Sequence, residues 1–249
     1  MSGHSKWSKI KRQKGVVDAK RGQLFTKLAR EISVAVRQGG ADTEANFKLR
    51  LIMQKARDNN MPLENIDRAI KRASGGTDGA ALSEVTYEGY GPGGSAILAQ
   101  ALTDNKNRTL SEVRNILSRG GGNLGESGSV TWLFEFRGVI IIDGTKENAE
   151  EVALFAIDAG AEDVKIEGTS LEVNTKPQDL EAVRKALELK KVPISSSELS
   201  MVPKTMVKLD EKSALQALRL LDKLEELDEV QHVYTNADFP DDVVGKYQG

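Results

Sequence analysis

Residues 137–203 read RGVIIIDGTKENAEEVALFAIDAGAEDVKIEGTSLEVNTKPQDLEAVRKALELKKVPISSSELSMVP. The run Val139-Ile140-Ile141-Ile142 is apolar and β-branched, the pattern of a buried strand over 139–143. Helical spacing follows over 147–159. Residues 163–167 and 170–174 flank Gly168-Thr169 and read as a hairpin. Pro177 opens a helix over 177–189, where its missing N–H costs nothing. Residues 194–201 read as a last strand. The order βαββαβ is the ferredoxin-like pattern.

Outward from that unit the chain looks incomplete on both sides. After Pro203 there is one helix, over 211–227, and one strand, over 230–235. Before it, residues 84–90 and 95–102 read as a hairpin across Gly91-Pro92-Gly93-Gly94. A helix over 107–119 follows, with Leu110, Val113, Ile116 and Leu117 inward, and then a strand over 129–136. The preceding ββαβ lacks a final αβ, and the trailing αβ is too little for a domain. The simplest arrangement inserts 137–203 into a discontinuous domain made of 79–136 and 204–249.

The N-terminal 78 residues form a basic arm and a small helical domain. Leu24, Phe25, Leu28, Ile32, Ala35 and Val36 make one stripe of a helix over 18–38, which Gly39-Gly40 ends. Further helices are expected over 45–58 and 63–73. The fold class is therefore α+β: a helical domain plus two α/β sandwiches, the ferredoxin-like one inserted in the other.

Charge is divided unevenly. Residues 1–72 hold 17 Lys+Arg against 7 Asp+Glu, a net of +10, although the whole chain is at −2. Such asymmetry points to a polyanion partner, nucleic acid foremost. The arm supplies His4, Lys6, Trp7, Lys9, Lys11, Arg12 and Lys14 and no acid. It has too few apolar groups to fold alone and is expected to be disordered until bound. Lys20, Lys27, Arg30 and Arg37 fall roughly opposite the apolar stripe of the first helix and, with Arg21, extend the basic surface. Trp7 offers a ring to an unpaired base.

Other chemistries find little support. The chain has no Cys, which excludes disulfides and thiolate metal sites, and its only histidines are His4 and His232. Gly89-Tyr90-Gly91-Pro92-Gly93-Gly94 and Gly120-Gly121-Gly122-Asn123-Leu124-Gly125 both match G-x-G-x-x-G. Neither leaves a strand to open a helix, as a dinucleotide site requires. No cofactor, metal, small-molecule substrate or catalytic residue is expected. An enzyme using an acidic cleft is the remote alternative, since paired carboxylates need no local spacing. No apolar run approaches the ~20 residues that cross a bilayer, and no apolar segment follows the basic start to make a signal peptide, so the cytoplasm is the expected compartment.

Several segments together are familiar: Gly3-His4-Ser5-Lys6-Trp7, Asp18-Ala19-Lys20-Arg21-Gly22, Phe25-Thr26-Lys27, Asn59-Asn60-Met61-Pro62, Tyr87 to Gly94, Thr103-Asp104-Asn105-Lys106-Asn107-Arg108-Thr109 and Gly121-Gly122-Asn123-Leu124-Gly125. The chain resembles the YebC/PmpR family, whose mitochondrial relative is the translational activator of cytochrome c oxidase subunit I. The likeness covers nearly the whole length. It implies a three-domain α+β protein, cytoplasmic in bacteria, without cofactor or catalytic residues. Members are described as transcriptional regulators that bind promoter DNA; others act on the ribosome, through rRNA or tRNA, and relieve stalling, notably at proline runs. DNA-binding regulation of transcription is the first expectation here and ribosome-associated translation regulation the second. The residues do not separate them, since both need phosphate binding.

Overall fold

The computed structural model describes residue 7 and residues 18–75, 82–144 and 148–247. Among them the chain divides into two compact units: Phe134–Lys204, and the residues up to Leu133 joined to those from Thr205 onward.

The larger unit begins with three helices, α1 (Asp18–Gly39), α2 (Phe47–Asp58) and α3 (Leu63–Ser74). Leu28, Ile32, Ala35 and Val36 of α1 pack on Leu49, Ile52 and Ala56 of α2 and on Ile66, Ala69 and Ala73 of α3. Each fully buried Leu or Ile contributes roughly 1.5–3 kcal/mol. One buried amide fixes the first corner. Asn46 Oδ1 accepts from Leu49 N–H at 3.0 Å and caps α2, while its Nδ2 donates to the Ala35 and Gly40 carbonyls, both at 2.8 Å. Gly40, at φ 81°, turns the chain where a side chain would be strained.

A four-stranded sheet follows in the order β3-β1-β2-β9, from β1 (Ser83–Tyr90), β2 (Ala96–Thr103), β3 (Asn123–Leu124) and β9 (Val230–Thr235). Helices α4 (Lys106–Arg119) and α7 (Glu211–Glu225) cover one face. Val113, Leu117, Leu218, Leu221 and Leu224 meet Tyr87, Ile97, Ala99, Val230 and Val233 there. Asn105 and Asp210 cap these helices by accepting from Arg108 N–H and Ser213 N–H. β8 (Val207–Lys208) and β10 (Ala237–Asp238) pair in parallel, and α8 (Asp241–Lys246) ends the described chain.

The smaller unit comprises β4 (Phe134–Asp143), α5 (Ala149–Asp158), β5 (Asp163–Glu167), β6 (Ser170–Thr175), α6 (Leu180–Leu189) and β7 (Ile194–Pro203). Its sheet runs β5-β6-β4-β7, all antiparallel, which is the ferredoxin-like order. A Cβ on Gly138 would lie 2.3 Å from Thr175 Oγ1 and 2.8 Å from Leu180 Cβ, so α6 rests almost directly on the β4 backbone.

The structure departs from the sequence reading at 129–136. Thr131–Leu133 is a 3-10 turn, and one strand runs unbroken from Phe134 to Asp143. Arg137 and Gly138 look like a break in sequence, yet both pair with β7, opposite Ser200 and Leu199. The third strand of the larger sheet is instead the two-residue β3, inside the glycine-rich stretch that reads as a turn. Its pairing with Tyr90 and Gly89 is a tertiary contact that no local pattern announces.

Candidate nucleic-acid interface

His4, Lys6, Lys9, Lys11, Arg12 and Lys14 lie outside the described residues, as does the Lys20 side chain. Trp7 is described, and it is not presented to solvent. Its ring is 2 % exposed and packs in the sheet-domain core with Tyr87, Ile97, Leu218 and Phe239. This corrects the reading of Trp7 as a base-stacking residue. An indole gains most by leaving water, and the core of another domain offers what the arm alone lacks.

The basic face of α1 is likewise reassigned. Lys27, Arg30, Glu31, Val34 and Gln38 fall three or four residues apart, on one side of the helix. That side meets the sheet domain. Lys27 Nζ donates to the Glu225 carbonyl at 2.5 Å, and Arg30 donates to the Asp228 carbonyl at 2.6 Å. Both cations thus meet carbonyls at and beyond the end of α7, where the helix dipole is negative. Glu31 lies 3.4 Å from His232 Nε2 and 3.5 Å from Lys55 Nζ. Gln38 and Lys48 both donate to Glu84, at 2.9 and 3.1 Å. Val34, 6 % exposed, lies within this stripe. The signal was in the sequence: an acid at 31 and a Val at 34 interrupt the basic face. Of the remaining α1 cations, Arg21 and Arg37 are exposed.

One set of cations that faces water together sits on α3. Its apolar side, Ile66, Ala69 and Ala73, is buried, and Arg68, Lys71 and Arg72 project from the opposite side. All three are exposed, and none forms an ion pair among the described residues. The first turns of α3 carry Glu64 and Asp67, so the positive charge is concentrated in its second half. Among the described residues no group of three or more His, Asp and Glu side chains is placed to hold a metal ion. No described helix is long and apolar enough to cross a membrane.

Comparison with known proteins places this architecture. Residues 5–76 match the pattern described as the TACO1/YebC protein N-terminal domain, and residues 82–237 match the TACO1/YebC second and third domain. A probable transcriptional regulatory protein of Dehalococcoides mccartyi is 56 % identical over 247 residues, covering 99 % of this chain and 98 % of that one. One of Chloroflexus aurantiacus is 54 % identical over 250 residues, with 99 % of each chain covered. The crystal structure of a conserved hypothetical protein from Aquifex aeolicus superposes with a TM-score of 0.82 at 45 % identity, over 91 % of this chain and 93 % of that one. The chain belongs to the TACO1/YebC family.

Proposed function

We propose that the protein is a nucleic-acid-binding regulator of gene expression, acting on DNA as a transcriptional regulator and catalysing no reaction. The observation that carries this reading is the net charge of +10 over residues 1–72, together with the three unpaired cations on the outer side of α3. Phosphate contacts dominate affinity for nucleic acid, and exposed Arg and Lys on one helix face supply them. Relatives covering the whole chain bear the name probable transcriptional regulatory protein, which supports regulation as the role. The arm cations Lys6, Lys9, Lys11, Arg12 and Lys14, with His4, Lys20, Arg21 and Arg37, extend the proposed surface. Lys27 and Arg30 are needed first at the end of α7.

A second reading, a ribosome-associated translation factor, draws on one feature. A helix that reads bases in the major groove commonly does so with its N-terminal residues. Glu64 and Asp67 give α3 the wrong charge there, which suits a contact that follows phosphates on a folded RNA. Crosslinking in cells, followed by sequencing of the attached nucleic acid, tests the proposal. Promoter DNA supports the first reading and ribosomal RNA or tRNA the second. Recovery of neither above an uncrosslinked control refutes both.

A further inference from the structure

Two aromatic side chains of the sheet domain are held in water. Tyr90, at the end of β1, is 37 % exposed and Trp132 is 65 % exposed. The Tyr90 hydroxyl donates to the Ser129 carbonyl at 3.3 Å, and Trp132 Nε1 donates to the same oxygen at 3.0 Å. A carbonyl oxygen has two lone pairs, so one acceptor fixes both rings as neighbours. Asn123 stands directly opposite Tyr90 in the β1–β3 pairing and is exposed on the same face.

The loop that carries Ser129 is held firmly. Glu88 is buried, and its carboxylate accepts from Gly128 N–H at 2.6 Å and from Val130 and Thr131 N–H at 2.8 Å each. Burial opposes ionisation of this carboxyl, but the three amides outweigh it and hold it below the usual carboxylate range. Val130 is fully buried beneath the loop. Beside it, a Cβ on Gly122 would lie 2.3 Å from the Tyr90 carbonyl, so the glycine segment lies directly on this end of β1.

Resting on the nucleic-acid reading above, we propose that Tyr90, Asn123 and Trp132 form a stacking site for unpaired bases of a single strand. Aromatic rings stack on any base, and rings already fixed lose little freedom in doing so. A side-chain amide is suited to the donor and acceptor pattern of a base edge. Arg119, four residues before Asn123 and exposed, is the nearest cation in sequence for a phosphate. A protein partner suits the site less well. Among the described residues of the sheet domain, Tyr90 and Trp132 are the only large hydrophobic side chains exposed, a patch of base size rather than interface size.

The full-length protein provides its own reporter, because its only tryptophans are Trp7 and Trp132 and Trp7 is buried. Short fluorescently labelled single strands of RNA and of DNA, and a duplex, are titrated by anisotropy, and parallel unlabelled titrations follow tryptophan emission. Single strands should quench the emission. Trp132→Phe should abolish that quenching yet keep most of the affinity, because a phenyl ring still stacks. Trp132→Ala and Tyr90→Ala should weaken single-strand binding on the order of 5- to 150-fold and leave duplex binding and salt dependence unchanged. Single strands that bind with emission unchanged, and with Tyr90→Ala within about twofold of wild type, would overturn the stacking site while leaving the regulator reading intact. That outcome would turn the two rings over to a protein partner. Failure of wild type to bind any strand or duplex would remove both.

Discussion

The carboxylate of Glu31 on α1 lies 3.4 Å from Nε2 of His232 on β9 and ties the helical domain to the sheet that follows it. Lys55 reaches the same oxygen from α2 at 3.5 Å. Burial alone would raise this carboxyl, whose side chain is 13 % exposed, but Lys55 and His232 outweigh burial and hold it at about 2. The contact joins two layers that the sequence presents as separate domains.

The pH dependence of stability follows from that value. The Glu31 carboxyl is depressed from an ordinary 4.5 to about 2, so its contribution is present in full above pH 4.5 and is lost as pH falls towards 2. The shift corresponds to at most about 3 kcal/mol. Glu31→Gln should therefore be destabilised against urea at pH 6. Its deficit relative to wild type should shrink between pH 4.5 and pH 2. A deficit independent of pH would show that the charge of Glu31 is irrelevant.

Two sets of cations should behave oppositely. Lys27→Gln with Arg30→Gln removes the contacts at the end of α7 and should cost on the order of 1–3 kcal/mol of stability, with little change in the salt dependence of duplex binding. Arg68→Gln, Lys71→Gln and Arg72→Gln together should leave the melting temperature nearly unchanged. If all three meet phosphates, they should make the log–log salt slope shallower by about 3 on duplex DNA. The same pattern with the sets exchanged would contradict the assignment of the α1 stripe to a domain interface.

Trp7→Ala should act as a core mutation. Emptying a buried indole site typically costs about 3–5 kcal/mol, and thermal unfolding measures it directly. Among the described residues Trp7 Nε1 has no hydrogen-bond partner, so the expected loss is chiefly one of packing. A Trp7→Ala protein as stable as wild type would mean that the ring is not in that core in solution.

Glu88→Gln tests the loop under Trp132. An amide offers one oxygen where the carboxylate serves three N–H groups, and its own NH2 opposes the donors. A cost of about 2–4 kcal/mol is expected, with faster hydrogen exchange at Gly128, Val130 and Thr131. The depressed carboxyl also makes this contribution fade as pH falls below the ordinary carboxylate range. Unchanged exchange at those three amides would contradict the anchoring role.

Much of the fold was legible because burial imposes a period. The apolar spacing over 18–38 gave a helix that runs Asp18–Gly39, and 230–235 gave the strand Val230–Thr235. What escaped was short or tertiary: β3, β8 and β10 are two residues each, too few for any period. Charge was legible as a total and misleading as a surface. The sequence marks Lys27 and Arg30 as cations on one helix side, but it cannot show that carbonyls at and beyond the end of α7 lie opposite. Tyr90 drew no notice, because an aromatic in a strand pattern reads as core. Along β1 Tyr90 falls on the face opposite Tyr87, and only the tertiary contact of its hydroxyl with Ser129 shows that its ring lies outward.

By itself the sequence determined that this protein has a basic helical start and an acidic α+β remainder. It also marked the βαββαβ order of elements within that remainder. Both rest on local periodicity and composition, which act within a few residues. Only the tertiary structure decided which polar and aromatic groups are spent inside the molecule and which remain for a partner. Trp7 is buried, Trp132 is not, and the basic stripe of α1 closes on α7 while that of α3 stays open. The physical reason is that solvent exposure belongs to the packed surface, and residues far apart in sequence set it.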